Sequence, residues 1–200
     1  MAILSRRRVV LALIVALAAA ASLTLLFAAS AGPGRAPASA FRALIPAPAP
    51  AGWASLPLPN GTAVLSYPPT LHRAISDSDA VSAARLGPGG TYLLYLNATP
   101  RQGGETLQNW AGHRLRVLRA EDASTAHEDA AATGLVFLGG TGSCVIDDYL
   151  TRIGAHHYQE LACLVQGRHG ASVIVAAAPA AGWAQARPLL VRAVAAYRVR

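Results

Sequence analysis

A chain of 200 residues with a net charge of +7 and no lysine has room for one domain of ordinary size beside targeting and linker segments. Five of its 17 basic residues (Arg6, Arg7, Arg8, Arg35, Arg42) lie near the N-terminus, all 10 acids follow residue 76, and beyond Arg42 the two signs nearly balance. That distribution, with no basic stripe and no interleaved aromatic residues, excludes a nucleic-acid partner.

Residues 1–8 read as a basic tail on the cytoplasmic side of a membrane. The run from Val9 to Ala29 carries no charge, and Ser22 and Thr24 are its polar members. As a helix it would be about 31 Å long, against a bilayer core of roughly 30 Å. Arg6, Arg7 and Arg8 just before it keep the tail inside and send the rest across. The run exceeds the ~7–15 residues of a signal-peptide core, which favours a retained anchor. Small-x-small sites at Ala29-Ser30-Ala31 and Ala38-Ser39-Ala40 leave cleavage and secretion open. Residues 30–52 read as a Pro/Ala-rich linker, extended and semi-rigid over Pro46 to Pro50. The domain is expected at 53–200.

Within it, Asn60-Gly61 signals a tight turn into a strand over Thr62–Tyr67, stopped by Pro68-Pro69. Short strands are expected at Leu71–Ile75 and Ala80–Leu86, and a clearer one at Thr91–Leu96. Leu107, Trp110, Ala111, Leu115 and Leu118 recur at helical spacing and predict a helix over Glu105–Arg119. Ala120–Thr133 is polar and Ala-rich without a dominant period, and reads as a frayed helix end or a loop. A meander follows, with strands near Gly134–Leu138, Ser143–Arg152, Ala155–Gln166 and Ala171–Ala178. Trp183, Ala186, Leu190, Ala193, Val194 and Tyr197 predict a final helix from Ala184 or Pro188 to Ala196. Its Pro188 is acceptable in the first turn or at a kink.

A strand ending in Tyr67-Pro68-Pro69, a mid-chain helix, a meander and a last helix carrying Trp183, Pro188, Leu189, Val194 and Tyr197 resemble the PsbP-like domains. That group includes the DcrB- and LpqN-type bacterial envelope proteins. The chain departs from it at Leu71, where an aromatic residue often stands. The resemblance spans about residues 53–200. It implies an α+β fold, an antiparallel sheet with helices packed on its faces, and a binding or accessory role without catalysis; no cofactor is expected. It transfers no functional residue.

The residues themselves offer few sites. Cys144 and Cys163 are the only cysteines, and in an exported chain they are expected to form a disulfide. A hairpin turn at Ile153-Gly154 would set them directly opposite each other on adjacent antiparallel strands. The same register opposes Asp147 to Glu160 and Tyr149 to Tyr158, with His156 near the tip. Two facing carboxylates repel unless a positive group sits between them. Arg114 or Arg168 would serve, and the weaker alternative is a metal ion on Asp147, Glu160 and His156. His127-Glu128-Asp129 and Gly142-Ser143 show no nucleophile–base pattern. Asn60-Gly61-Thr62 and Asn97-Ala98-Thr99 match the glycosylation tripeptide, which has meaning only in a eukaryotic secretory host. The expected function is an exported, membrane-tethered or secreted domain that binds an envelope protein. The rivals are an envelope hydrolase or metal-dependent enzyme built on the hairpin carboxylates and histidines, and a purely structural envelope protein.

Overall fold

Apolar side chains alternate along three consecutive strands of an antiparallel meander, and this alternation organises the molecule. The computed structural model describes residues 38–200. The basic tail, the apolar run 9–29 and the first part of the linker lie outside the described residues. Among the described residues no helix is long and apolar enough to cross a membrane.

The strands in chain order are β1 (Ala54–Pro57), β2 (Ala63–Tyr67), β3 (His72–Ala74), β4 (Val81–Leu86) and β5 (Tyr92–Pro100). After helix α1 (Trp110–Glu121) come β6 (Ala123–Phe137), β7 (Gly140–Thr151), β8 (His157–Gly167) and β9 (Gly170–Pro179), then helix α2 (Trp183–Ala195) and β10 (Arg198–Val199). Seven strands form one antiparallel sheet in the order β3-β4-β5-β9-β8-β7-β6, and β1, β2 and β10 form a second. The sheet with helices on its faces is therefore of the α+β type.

Period-2 alternation along β7, β8 and β9 separates the two faces. Cys144, Ile146, Leu161, Cys163, Ile174 and Ala176 face one way and pack with Leu190, Ala193 and Val194 of α2 and Leu65 of the small sheet. Val145, Ala162, Leu164 and Val175 face the other way, beneath Trp110 of α1. Trp110 also donates its indole N–H to the Ala162 carbonyl at 2.9 Å, so the ring is buried with its polar atom satisfied.

Helix α1 begins later than the apolar spacing suggests. Thr106 and Asn109 bond each other's backbone N–H groups through their side chains, which holds the preceding segment as a turn and starts the helix at Trp110. Helix α2 begins at Trp183, so Pro188 sits inside it.

Two readings of the sequence are corrected. Ala120–Thr133 is neither frayed helix nor loop, because its larger part belongs to β6, a 15-residue strand. Three irregularities in its pairing with β7 break the alternation, and as an edge strand it exposes most side chains between buried Ala123, Ala126, Ala130, Ala131 and Phe137. Such bulges bend an edge and erase the two-residue period by which a strand is read. Nor does the described part of the linker stand off from the domain. Phe41 and Leu44 are buried in the main core, Ala47 donates to the Ala195 carbonyl, and Arg187 donates to that of Ala40.

The chain end is locked in as well. Val199 donates to the Leu138 carbonyl, and Gly139 has φ +87° with Val199 so near that a Cβ would lie 2.2 Å from its carbonyl oxygen. Only glycine fits there.

Cys144 and Cys163 form the disulfide, with Cα atoms 4.1 Å apart, at the directly opposed positions that the hairpin register requires. Closing a loop of 19 residues' separation stabilises by about 3 kcal/mol on the chain-entropy model. Replacing both cysteines by alanine should lower the unfolding free energy by about that amount, read from urea melts. An unchanged midpoint would show that the bond contributes nothing.

Candidate functional site

Strand pairing places one row of side chains across the sheet on the face below α1: Ala84, Tyr95, Ala177, Glu160, Asp147 and Glu128. Asp147 and Glu160 thus face each other, as do Tyr149 and Tyr158. Both carboxylates are almost wholly removed from solvent, at 0% and 1% exposure, and burying an unpaired charge costs several kcal/mol.

Arg114 resolves half of the problem. From the underside of α1 it donates through Nε to Glu160 Oε1 at 2.6 Å and through Nη2 to Oε2 at 2.9 Å, the two-pronged geometry in which guanidinium and carboxylate match best. Burial alone would lower the Arg114 pKa, but the Glu160 charge outweighs it and raises it. Of the two arginines that the sequence offers, Arg114 is the partner. Arg168 is exposed at the turn between β8 and β9.

Asp147 is left with no hydrogen-bond partner on either oxygen. Burial first, and the Glu160 charge second, push its carboxyl well above the usual carboxylate range, with Arg114 pulling the other way. Asp147 is therefore a neutral acid at pH 7.

The other candidates stay apart. His156 is exposed at the hairpin tip, its ring edge-on to Tyr158 with centroids 6.3 Å apart. Among the described residues no group of three or more His, Cys, Asp and Glu comes close enough to hold a metal ion, so the set Asp147, Glu160 and His156 is not assembled. His127 and Glu128 are exposed on β6, and Asp129 accepts from Gln159. Ser143 is buried within β7, and Asn97 donates to Ser82.

A cleft of about 750 Å³ lies between α1, β5 and the segment joining β3 to β4; a groove between the sheet and this helix is the feature that favours a binding module, but the sequence did not place Ile75 and Ile153 at it. Val175 and Ala177 lie on its floor with the Arg114–Glu160 pair, and Tyr92, Tyr95, Tyr149 and Tyr158 line it. Ile75 and Ile153, at its mouth, are 98% and 89% exposed. The signal in the sequence was an apolar residue in each of two turn segments. Nothing local connects them, because they lie 78 residues apart.

Among solved structures, the chain is similar to the solution structure of cyanobacterial PsbP (CyanoP) from Synechocystis sp. PCC 6803, with a TM-score of 0.55 and 13% identity, over 76% of this chain and 95% of that one. The fold is PsbP-like. At this identity the likeness speaks to the fold alone. A second solved structure, the protein of unknown function PA94 from Pseudomonas aeruginosa, gives a TM-score of 0.42 and 11% identity over 68% of this chain and 89% of that one. No family model matches the chain. A 5-aminosalicylate 1,2-dioxygenase from Comamonas sp. is 31% identical over 106 residues, which is 52% of this chain and 27% of that enzyme. This chain thus spans about a quarter of the enzyme's length.

The ion pair gives a direct test. Glu160→Gln keeps one acceptor for Arg114 but removes the charge, and neighbouring Asp147 can then ionise as the replacement counter-ion. Stability should fall by about 1–3 kcal/mol, unaltered by chelator. A gain in stability would mean that Glu160 has no cation beside it.

Proposed function

We propose that this chain is an exported accessory domain of the PsbP-like kind that includes the DcrB- and LpqN-type envelope proteins, and that it binds a protein partner without catalysis. One observation carries the reading: the cleft beside α1 is bordered by Ile75 and Ile153, large apolar side chains held almost fully in water. Apolar groups so placed around a concavity are characteristic of surfaces that another molecule covers. The charged groups on its floor bond each other, so Arg114 and Glu160 serve the fold before any chemistry. The disulfide is compatible with an oxidising compartment, and the uncharged run 9–29 would tether the domain or direct its secretion.

The test is a photo-crosslinking residue placed at Ile153 of the full-length chain in its host, with a control at Ile45, exposed beside the packed N-terminal segment. A discrete protein adduct is expected from position 153 and none from 45; equal or absent adducts overturn the reading. Protease added outside the membrane should digest residues 38–200, and their protection in spheroplasts would overturn the placement.

A further inference from the structure

More acids than bases border the cleft. Four carboxylates (Asp77, Glu121, Asp122, Glu160) and two guanidiniums (Arg114, Arg152) border it, on a domain whose two signs nearly balance beyond Arg42. Both guanidiniums are occupied: Arg114 by Glu160, Arg152 by the carbonyls of Ala123 and Arg119. Asp77, Glu121 and Asp122 are exposed and belong to none of the ion pairs among the described residues. The uncommitted charge at the cleft is therefore negative.

Aromatic faces stand beside it. Tyr92 and Tyr95 pack with ring centroids 4.9 Å apart, and Tyr149 and Tyr158 stack at 5.9 Å. Tyrosine faces attract a cation, more strongly where water is partly excluded. Free carboxylates at the rim would steer it in.

We propose that the cleft receives an arginine or lysine side chain of a partner protein, whose flanking apolar residues rest on Ile75 and Ile153. This rests on the partner-binding reading and assigns the chemistry of its contact. The cation lies among Tyr92, Tyr95 and Tyr149, its charge met by Asp77, Glu121 and Asp122. Glu160 takes no part, since Arg114 occupies both of its oxygens.

A random heptapeptide phage library panned on the purified, disulfide-intact, full-length chain in mild detergent tests this. Enriched peptides should carry Arg or Lys beside a large apolar residue. The tightest of them, synthesised, should lose at least tenfold in affinity when its basic residue becomes citrulline or glutamine. The same loss is expected on a chain carrying Asp77→Lys with Asp122→Lys, and on Ile153→Asp. These positions are exposed, so the variants should fold, which circular dichroism checks. Gln185→Lys, on α2 across the sheet, should bind as the parent does. Enriched peptides that are neutral or acidic, or that bind the charge-reversed chain equally well, would overturn this inference while leaving partner binding intact. A library that yields no binder would overturn both.

Discussion

Arg114→Ala should lower the unfolding free energy of the domain by about 3–5 kcal/mol, the usual cost of leaving one partner of a buried ion pair behind. Glu160 is 1% exposed, and both of its oxygens are bonded to Arg114. Without the guanidinium, Glu160 would be a buried charge facing a second acid and deprived of its ion-pair partner. The shift should appear as a lower urea midpoint with an unchanged m-value. Arg114→Lys should recover part of the loss and no more, because an ammonium is a point charge that cannot form the paired Nε and Nη2 bonds. An Arg114→Ala chain as stable as the parent would show that the pair does not hold α1 to the sheet.

Asp147→Asn should act in the opposite direction and stabilise the protein at neutral pH. The Asp147 carboxyl is raised above its ordinary value by burial and by Glu160 opposite it, against the pull of Arg114. The native state therefore holds a proton that the unfolded chain, with an ordinary value near ~3.9, has lost by pH 7. Protons bound in the native state exceed those bound in the unfolded state, so stability must fall as pH rises. The contribution is complete below about pH 4 and is lost progressively up through the raised native value, at no more than about 1.4 kcal/mol per pH unit. Asparagine has nearly the same shape, needs no proton and can donate to Glu160 directly. The variant should gain up to about 4 kcal/mol at pH 7 and show a flatter stability profile between pH 5 and 9. A profile parallel to that of the parent, or a loss of stability, would mean that Asp147 is ionised in the native protein.

Local pattern carried much of this molecule. A turn at Ile153-Gly154 and strict alternation on either side are enough to oppose Cys144 to Cys163 and Asp147 to Glu160, because the period of a strand is two and a hairpin leaves one register. Helical spacing from Trp110 to Leu118 and from Trp183 to Val194 likewise located both helices, though the Thr106–Asn109 turn set the start of the first. With the meander, these features made the α+β class and the resemblance to PsbP-like domains legible from residues alone.

Tertiary structure decided what depends on contacts between distant segments. The length of β6 was hidden, since three irregularities and an exposed edge erase the two-residue period. The described end of the linker packs on the domain because Phe41 and Leu44 find a core built from Leu58 to Val199, far along the chain. The choice of Arg114 over Arg168 followed from the docking of α1 on β8, and the cleft from the β3–β4 connection, β5 and the β7–β8 tip meeting around that helix. Periodicity reports which face of an element is buried. It does not report which other element buries it, and in this chain that second fact brings Arg114 to Glu160 and Ile75 to Ile153.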